Sequence, residues 1–183
     1  MIQLVSLRGV IPSGKNRVPM KQLQELLQTN GYPNAQTYLY TGNIILTSEK
    51  DSNELAEHIY QLILNNIGPD LGILVRTPEA VQQILANNPF QQPEDDLKRV
   101  FFSMISHSPT KEAVQVVHEK IKKTDERLIV SEDTAYMYIP GSTARSKLSN
   151  ITLEKSWKLV AMTHNFNTLS KFLAISENFK QNT

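Results

Sequence analysis

Residues 37–48, TYLYTGNIILTS, decide the fold because they hold two β-prone runs joined by a short turn. Aromatic and β-branched residues dominate both TYLY (37–40) and NIILTS (43–48), as is typical of strands. Thr41-Gly42 between the runs predicts a tight hairpin. The stretch therefore predicts a pair of antiparallel strands.

Helical patterns flank this hairpin on both sides. Before it, Pro19 suits a first helical position, and apolar residues at helical spacing predict a helix over 19–29. After it, a second apolar stripe predicts a helix over 53–65. A further strand is predicted outside each helix, in IQLVSLR (2–8) and GILVR (72–76). The first half of the chain therefore has the order β-α-β-β-α-β.

The second half of the chain repeats this order of elements. Its strands are predicted at 99–106, 127–131, 134–139 and 158–163, and its helices after Ser108-Pro109 and over 146–157. Two successive units of this kind predict an α+β protein of two tandem ferredoxin-like (βαββαβ) subdomains, with a short linking helix and a C-terminal helix. A single larger mixed sheet made from the same elements is the alternative.

The domain boundaries are predicted from the most loop-like stretch, NNPFQQPEDDLK (87–98). We assign the first subdomain to 1–77, the linking helix and loop to 78–98, the second subdomain with the C-terminal helix to 99–177, and a polar tail to 178–183.

The composition is that of an ordinary soluble globular protein, with 40% hydrophobic and 20% charged residues among 183. The chain has no cysteine, which excludes disulfides, thiolate metal sites and a cysteine nucleophile. No apolar run reaches the roughly 20 residues of a membrane span, and we recognise no signal peptide. We therefore predict a cytoplasmic protein with no membrane partner.

Residues 7–16, LRGVIPSGKN, partly match a phosphate-binding loop. Such a loop combines spaced glycines with a lysine, as Gly9, Gly14 and Lys15 do here. It then requires a hydroxyl residue for magnesium, a helix that begins at once, and an acidic strand end elsewhere to hold the metal.

Those further requirements are not met. Asn16 stands where the hydroxyl residue belongs, Pro12 removes a backbone donor, and the predicted helix begins only near Pro19. The strands GILVR and RLIVS also end without an acid. We therefore exclude a P-loop NTPase.

A weaker prediction remains for this loop. It is flexible, basic and rich in donors, which suits an anion such as a phosphate, a carboxylate or a nucleic-acid backbone. The candidate ligand-binding residues here are Arg8, Gly9, Gly14, Lys15 and Asn16. The alternative is a solvated connection with ordinary surface cations.

A second acid-free basic segment lies at Arg145, Ser146 and Lys147. If Ser146 caps the helix predicted there, the helix N-terminus and the two cations favour an anion. Pseudo-symmetry of the halves predicts that this segment and the first loop line one cleft. The alternative is that Arg145 pairs with a local carboxylate and that Ser146 is only a cap.

The chain resembles the bacterial domain-of-unknown-function family 1697 through several motifs. These are LRGVIPSGKNRVPMKQLQELL, TYLYTGNIILTS, LVRTPEAV, NNPF, ARSKLSN and THNFNTLSKFLA, in the expected order from about Leu4 to Ala174. The resemblance implies a two-subdomain α+β fold and no established activity. Ile11 and His164 stand where the family has asparagine and arginine, so no family role is carried over to those two positions.

Asn43 completes the set of candidate binding residues. It follows Gly42 in the family-like hairpin, and we interpret it first as a turn residue with positive φ, with ligand contact as the alternative. The four histidines show no metal-ligand spacing, so we expect no metal and no cofactor.

These observations favour a non-catalytic binding protein for a phosphate-bearing ligand or a nucleic-acid backbone. A phosphorylated small molecule and single-stranded nucleic acid are the predicted partners, and no oligomeric state is predicted. The alternatives are an enzyme acting on a small anionic metabolite, for which we identify no catalytic residue, and a protein-interaction module.

Overall fold

A computed structural model describes residues 1–38 and 42–181. It is a mixed α+β structure with two four-stranded antiparallel sheets and, in those residues, six α-helices. Residues 39–41, which include Thr41 of the predicted hairpin turn, lie outside the described residues. The remainder of the predicted order of elements is confirmed in both halves.

Contacts divide the chain into two compact units. The first unit is Met1–Val81 together with Phe172–Thr183, and the second unit is Gln82–Lys171. Our predicted division instead kept the whole C-terminal helix with the second half.

The first unit contains one sheet, two complete helices and parts of two others. Its elements are β1 (Ile2–Arg8), α1 (Met20–Thr29), β2 (Gln36–Tyr38), β3 (Asn43–Thr47), α2 (Ser52–Asn66) and β4 (Gly72–Arg76). The sheet has the order β2-β3-β1-β4. Val5 of β1 lies opposite Ile44 and Val75 on the two neighbouring strands. These residues are buried with Leu23 and Leu27 of α1, as the alternation of the strands and the stripe of the helix predict.

The second unit repeats this arrangement after a linking helix. The following elements are α3 (Pro78–Ala86), β5 (Val100–Ile105), α4 (Lys111–Ile121), β6 (Arg127–Ser131), β7 (Thr134–Tyr138), α5 (Asn150–Trp157), β8 (Ala161–Asn165) and α6 (Phe166–Gln181). The sheet order is β6-β7-β5-β8, which corresponds strand for strand to the first sheet. The Trp157 indole N–H donates to the carbonyl of Ala113 at 2.9 Å, so the buried tryptophan links α5 to α4.

Two helices of the second unit begin later than predicted. The cap of α4 is Thr110, whose Oγ1 accepts the N–H of Ala113 at 3.2 Å. Ser108 lies outside the helix because its hydroxyl donates to the carbonyl of Glu132 at 2.7 Å. Helix α5 is capped by Ser149, which accepts a backbone N–H of the first helical turn.

The C-terminal helix is longer than predicted. Leu169, Phe172, Ser176 and Phe179 are all buried, and their spacing of three and four residues forms one helical stripe. The residues predicted as a polar tail therefore continue the helix to Gln181, because Phe179 is buried one heptad after Phe172.

Among the described residues, no helix combines the length and the apolar character needed to cross a membrane.

Candidate functional site

The loop between β1 and α1 is built on two glycines with positive φ. Gly9 has a φ of 86° and Gly14 a φ of 89°, values that residues with a Cβ avoid. Two backbone hydrogen bonds of 3.2 Å fold the loop back on itself: Ile11 N–H donates to Asn16 O, and Arg17 N–H donates to Gly14 O. The glycines therefore shape this loop, as the sequence predicts.

Several donor groups of the loop face solvent. Ser13, Gly14 and Lys15 are exposed, and no described residue accepts a hydrogen bond from their backbone N–H groups. The Lys15 ammonium makes no ion pair with the carboxylates that the structure describes. Three consecutive N–H groups beside an unpaired ammonium can hold an anion.

Arg8 and Asn16 lie on either side of Gly9. Arg8 ends β1, is half-buried, and stands opposite Gly72 of β4. The Asn16 Nδ2 atom is 3.8 Å from the position that a Cβ on Gly9 would take. The Asn16 side chain therefore lies close to the start of the loop.

Gly42, the residue before β3, lies against the start of the same loop. A Cβ on Gly42 would stand 2.8 Å from Leu7 Cβ and 3.0 Å from Val10 Cγ2, so the two backbones approach closely. The Gly42 carbonyl accepts the N–H of Leu7 at 2.9 Å. The structure therefore brings Gly42 of the predicted hairpin together with the start of the predicted loop.

Asn43 has a structural role in this arrangement. It is the first residue of β3, is only 3% exposed, and lies opposite Ser6. The Ser6 hydroxyl donates to Asn43 Oδ1 at 3.2 Å. Among the described residues, positive φ in this turn belongs to Gly42, so the predicted positive φ of Asn43 is wrong.

The second basic segment does not begin a helix, contrary to prediction. Arg145 ends a short 3-10 turn, and Ser146 follows it in extended conformation. The Ser146 hydroxyl donates to the carbonyl of Leu148 and accepts the N–H of Leu148, both at 2.9 Å. Ser146 therefore holds a local turn and does not cap α5.

The backbone N–H of Lys147 in this segment is already hydrogen-bonded to a carboxylate. The N–H of Lys147 lies 3.1 Å from each carboxylate oxygen of Glu126. The side chains of Arg145 and Lys147 are exposed and make no ion pair with the described acids. The segment thus keeps its two cations, but the backbone donor beside them is already bonded to an acid.

Of the predicted residues, the structure groups those from Arg8 to Asn16 with Asn43 in the first unit. Arg145, Ser146 and Lys147 belong to the second unit.

A cluster around Arg127 was not predicted as a site. Its guanidinium carbon lies 4.2 Å from the ring centroid of Tyr138 and 4.9 Å from that of Phe90, in cation–π geometry. It also forms an ion pair with Asp95, whose side chain is 1% exposed. The hydrogen bond from Arg127 holds the pKa of the Asp95 carboxyl below its usual range.

One signal in the sequence points to part of this cluster. The predicted strands 127–131 and 134–139 are separated by only two residues, and this short connection sets a register that places Arg127 opposite Tyr138. The loop residues Phe90 and Asp95 carry no periodic pattern and had no such signal.

Two adjoining cavities lie beside β6 in the second unit. One of about 580 Å³ is lined by Phe90, Ile121 and Lys122 among others, and one of about 500 Å³ by Pro109 and Val114. The two cavities share His118, Leu128 and Ile129 as lining residues. Together they form a trough between α4 and β6, which we call the α4–β6 groove.

His164 is the most strongly perturbed titratable group. Its Nε2 atom is buried and has no hydrogen-bond partner among the described residues. Burial lowers the pKa of His164 from 6.5 to about 4, so the imidazole is neutral at physiological pH. Among the described residues, no three histidine or acidic side chains cluster as metal ligands would.

The fold and these sites define a two-unit α+β protein with a glycine-shaped basic loop in one unit and a groove in the other. The chain belongs to the family "Protein of unknown function (DUF1697)", whose family model matches residues 1–136. The predicted family is therefore confirmed. The match includes the first loop and the hairpin, and it ends before the motifs ARSKLSN and THNFN.

One solved structure is similar over nearly the whole chain. It is the conserved bacterial protein SP0830 from Streptococcus pneumoniae, with a TM-score of 0.69 and 20% sequence identity. The similarity covers 94% of this chain and 97% of that one, and at this identity it concerns the fold alone. The comparison with curated proteins finds no match.

Proposed function

We propose that this protein binds a phosphate group through the β1–α1 loop of the first unit, without catalysing a reaction. The phosphate belongs to a small molecule or to a nucleic-acid backbone. The observation that carries the proposal is the row of exposed N–H groups at Ser13, Gly14 and Lys15, which have no acceptor among the described residues.

The electrostatics of the loop support an anion. Residues 1–24 contain Arg8, Lys15, Arg17 and Lys21 and no acid. Lys21 is 3.9 Å from Glu25 one turn along α1, whereas Lys15 and Arg17 are exposed and have no ion-pair partner among the described residues. An anion at the loop therefore meets backbone dipoles and two available cations.

The geometry of the loop differs from that of a mononucleotide-binding P-loop. Helix α1 begins only at Met20, so its N-terminal dipole is separated from Lys15 by a further stretch of loop. Its cap position is Pro19, which makes no side-chain capping bond. The loop thus holds an anion by its own N–H groups and cations, without the helix dipole.

We also infer that both units follow the ferredoxin-like plan and arose by duplication. Both have the element order β-α-β-β-α-β, and the two sheets have corresponding strand orders. Cytoplasmic location stays a prediction.

The experiment is a titration followed by amide NMR shifts, using inorganic phosphate, a nucleoside monophosphate and an oligothymidylate in separate arms. We expect saturable shifts at Ser13, Gly14 and Lys15. Replacement Lys15→Ala is expected to weaken binding by about tenfold, the loss of one charge-assisted contact. If the ligand is nucleic acid, the oligothymidylate arm binds most tightly and its affinity falls steeply with salt.

The matched control is Lys50→Ala, because Lys50 is also exposed in the first unit and lies outside the loop. This variant is expected to bind as the unaltered protein does. Equal weakening by the two replacements, or no saturable shift in any arm, contradicts the proposal.

A further inference from the structure

The α4–β6 groove runs along an open sheet edge. Strand β6 is the last strand on its side of the second sheet, with β7 as its neighbour. Ile129, at its centre, is 45% exposed. Beneath the groove lie apolar side chains, among them the buried Leu128 and Ile121. A sheet edge beside an apolar trough is the arrangement to which extended peptides add as an extra strand.

The strand register shows which backbone groups face the groove. Ile105 N–H donates to Asp133 O at 2.9 Å, so the odd-numbered residues of β7 bond to β5 and the even-numbered ones to β6. Ile129, opposite Tyr136, therefore bonds to β7. The N–H and C=O groups of Leu128 and Val130 alternate with these and point outward into the groove.

The first unit closes the corresponding edge. In α1, Gln24 Oε1 accepts the backbone N–H of Thr37 on the edge strand β2 at 3.1 Å. Gln28 Nε2, one turn later, donates to the carbonyl of Ala35 at 3.0 Å. Two glutamine side chains thus bond edge groups in and beside β2, as proteins do to protect an edge.

Helix α4 has no glutamine directly after its buried residues, and its Gln115, which lines the groove, donates to Glu119 of the same helix at 3.1 Å. Gln24 and Gln28 follow the buried Leu23 and Leu27, and in α4 the residues that follow the buried Val117 and Ile121 are His118 and Lys122. Lys122 pairs with Glu119 of its own helix at 3.4 Å. His118 and Lys122, which stand in place of the two glutamines, both line the groove. Neither side chain hydrogen-bonds to the backbone of β6, whose residues the structure describes in full.

The charges that line the groove nearly cancel. Arg127 pairs with Asp95, and Lys122 pairs with Glu119. The remaining charged lining residues are Lys111, Glu126 and Glu132, which leave a single net negative charge. Such a lining favours an occupant without a large net charge.

From these observations we propose that the α4–β6 groove binds a neutral extended peptide with alternating apolar side chains, which adds to β6 as an antiparallel strand through Leu128 and Val130. This interaction surface lies in the second unit and is separate from the anion loop. A second copy of this chain that pairs symmetrically about Ile129 is disfavoured as the occupant, because that register sets Glu126 opposite Glu132 of the second copy.

The test uses the full chain and a fluorescein-labelled, end-capped peptide of alternating valine and threonine, about seven residues long to span β6. Fluorescence anisotropy is expected to rise saturably below about 100 μM protein. The same peptide with N-methyl groups on alternate amides cannot form the ladder and is expected to bind at least about tenfold more weakly. Equal binding of the two peptides, or no saturable rise, overturns the proposal.

Two variants test the position of the peptide. Val130→Pro removes one outward N–H, a change that edge strands tolerate, and is expected to weaken binding by about tenfold. His118→Gln restores the side chain that closes the first unit and is expected to weaken binding similarly without disturbing the fold. Glu112→Ala, at an exposed position of α4 that does not line the groove, is the control and is expected to leave the affinity unchanged.

Light scattering on the same samples identifies a competing occupant. A monomer that binds the peptide supports the proposal. A dimer that dissociates on Val130→Pro overturns it and assigns the edge to a second copy. Unchanged peptide affinity in a folded His118→Gln variant also overturns it.

Discussion

The guanidinium of Arg127 lies over the ring of Tyr138, its cross-strand neighbour, with 4.2 Å between the guanidinium carbon and the ring centroid. Phe90 supplies a second ring at 4.9 Å. This contact packs the loop that contains Phe90 against Arg127 at the end of β6, where the α4–β6 groove begins.

Replacement Arg127→Lys tests this stacking. Lysine keeps the charge but has no planar group to lie over two rings. The free energy of unfolding is expected to fall by about 1 kcal/mol, measured by urea denaturation with Trp157 fluorescence as the probe. Arg145→Lys is the control, because Arg145 is exposed and has no cation–π contact with the rings that the structure describes. An equal loss in both variants contradicts a specific role for the rings.

His164 is expected to make stability depend on pH. Its pKa is about 4 when folded and close to 6.5 when unfolded, so between these values the unfolded chain binds more protons. The contribution is complete above pH 6.5 and is lost as the pH falls toward 4. Between pH 7.5 and 5.0 the unfolding free energy is expected to drop by about 2 kcal/mol.

The control for this pH dependence is a pair of variants. His164→Leu is expected to flatten the profile between pH 7.5 and 5.0, whereas replacement of the exposed His107 by leucine leaves it unchanged. Parallel profiles for the unaltered protein and His164→Leu disprove the assignment.

Gly42→Ala is expected to damage the protein more than replacement of Gly31 or Gly141. Its Cβ would stand 2.8 Å from Leu7 Cβ, and its φ of 81° disfavours any side chain. Crowding and backbone strain together are expected to cost more than about 2 kcal/mol of unfolding free energy.

Replacement of Gly31 and of Gly141 separates the effect of backbone strain from that of crowding. Gly31 has a φ of 101° but open space around its Cβ position, so Gly31→Ala should cost about 1 kcal/mol from strain alone. Gly141 has neither positive φ nor a near neighbour, and Gly141→Ala should change stability by less than about 0.5 kcal/mol. Chemical denaturation of the three variants checks this order.

Ser149→Ala is expected to destabilise the protein by about 1 kcal/mol, because Ser149 accepts the Thr152 N–H at 3.2 Å and caps α5. Ser149→Asp retains an acceptor and should restore most of that loss. Thermal unfolding followed by circular dichroism compares the two variants. Identical melting temperatures for alanine and aspartate show that the cap makes no contribution.

The order of the elements was predictable because hairpins and amphipathic stripes are local patterns. The helix starts were less predictable, since α4 and α5 are each preceded by more than one residue able to cap them. Ser108 and Ser146 precede Thr110 and Ser149 in the chain, but their hydroxyls bond to carbonyls of Glu132 and Leu148 instead. Which hydroxyl caps depends on where the loop runs, and tertiary contacts determine that.

The candidate loop was predictable from its glycines and lysine, whereas the α4–β6 groove was not. The edge of β6 is open because α4 does not bond to it, whereas α1 bonds to β2 through Gln24 and Thr37. Only the structure shows this difference between the two helices. The sequence alone shows glutamines on one polar helix face and His118 with Lys122 on another. That pattern does not indicate that the glutamine pair reaches a sheet edge and that the other pair does not.

Helix α6 crosses the boundary between the two units, since Lys171 belongs to one and Phe172 to the other. The first unit is consequently discontinuous in the chain. A fragment cut within 87–98 lacks the segment that carries Phe172 and Phe179, both nearly inaccessible in the whole protein. To produce the first unit by itself, its two chain segments must therefore be joined, for example by circular permutation. A single cut in the chain does not yield it.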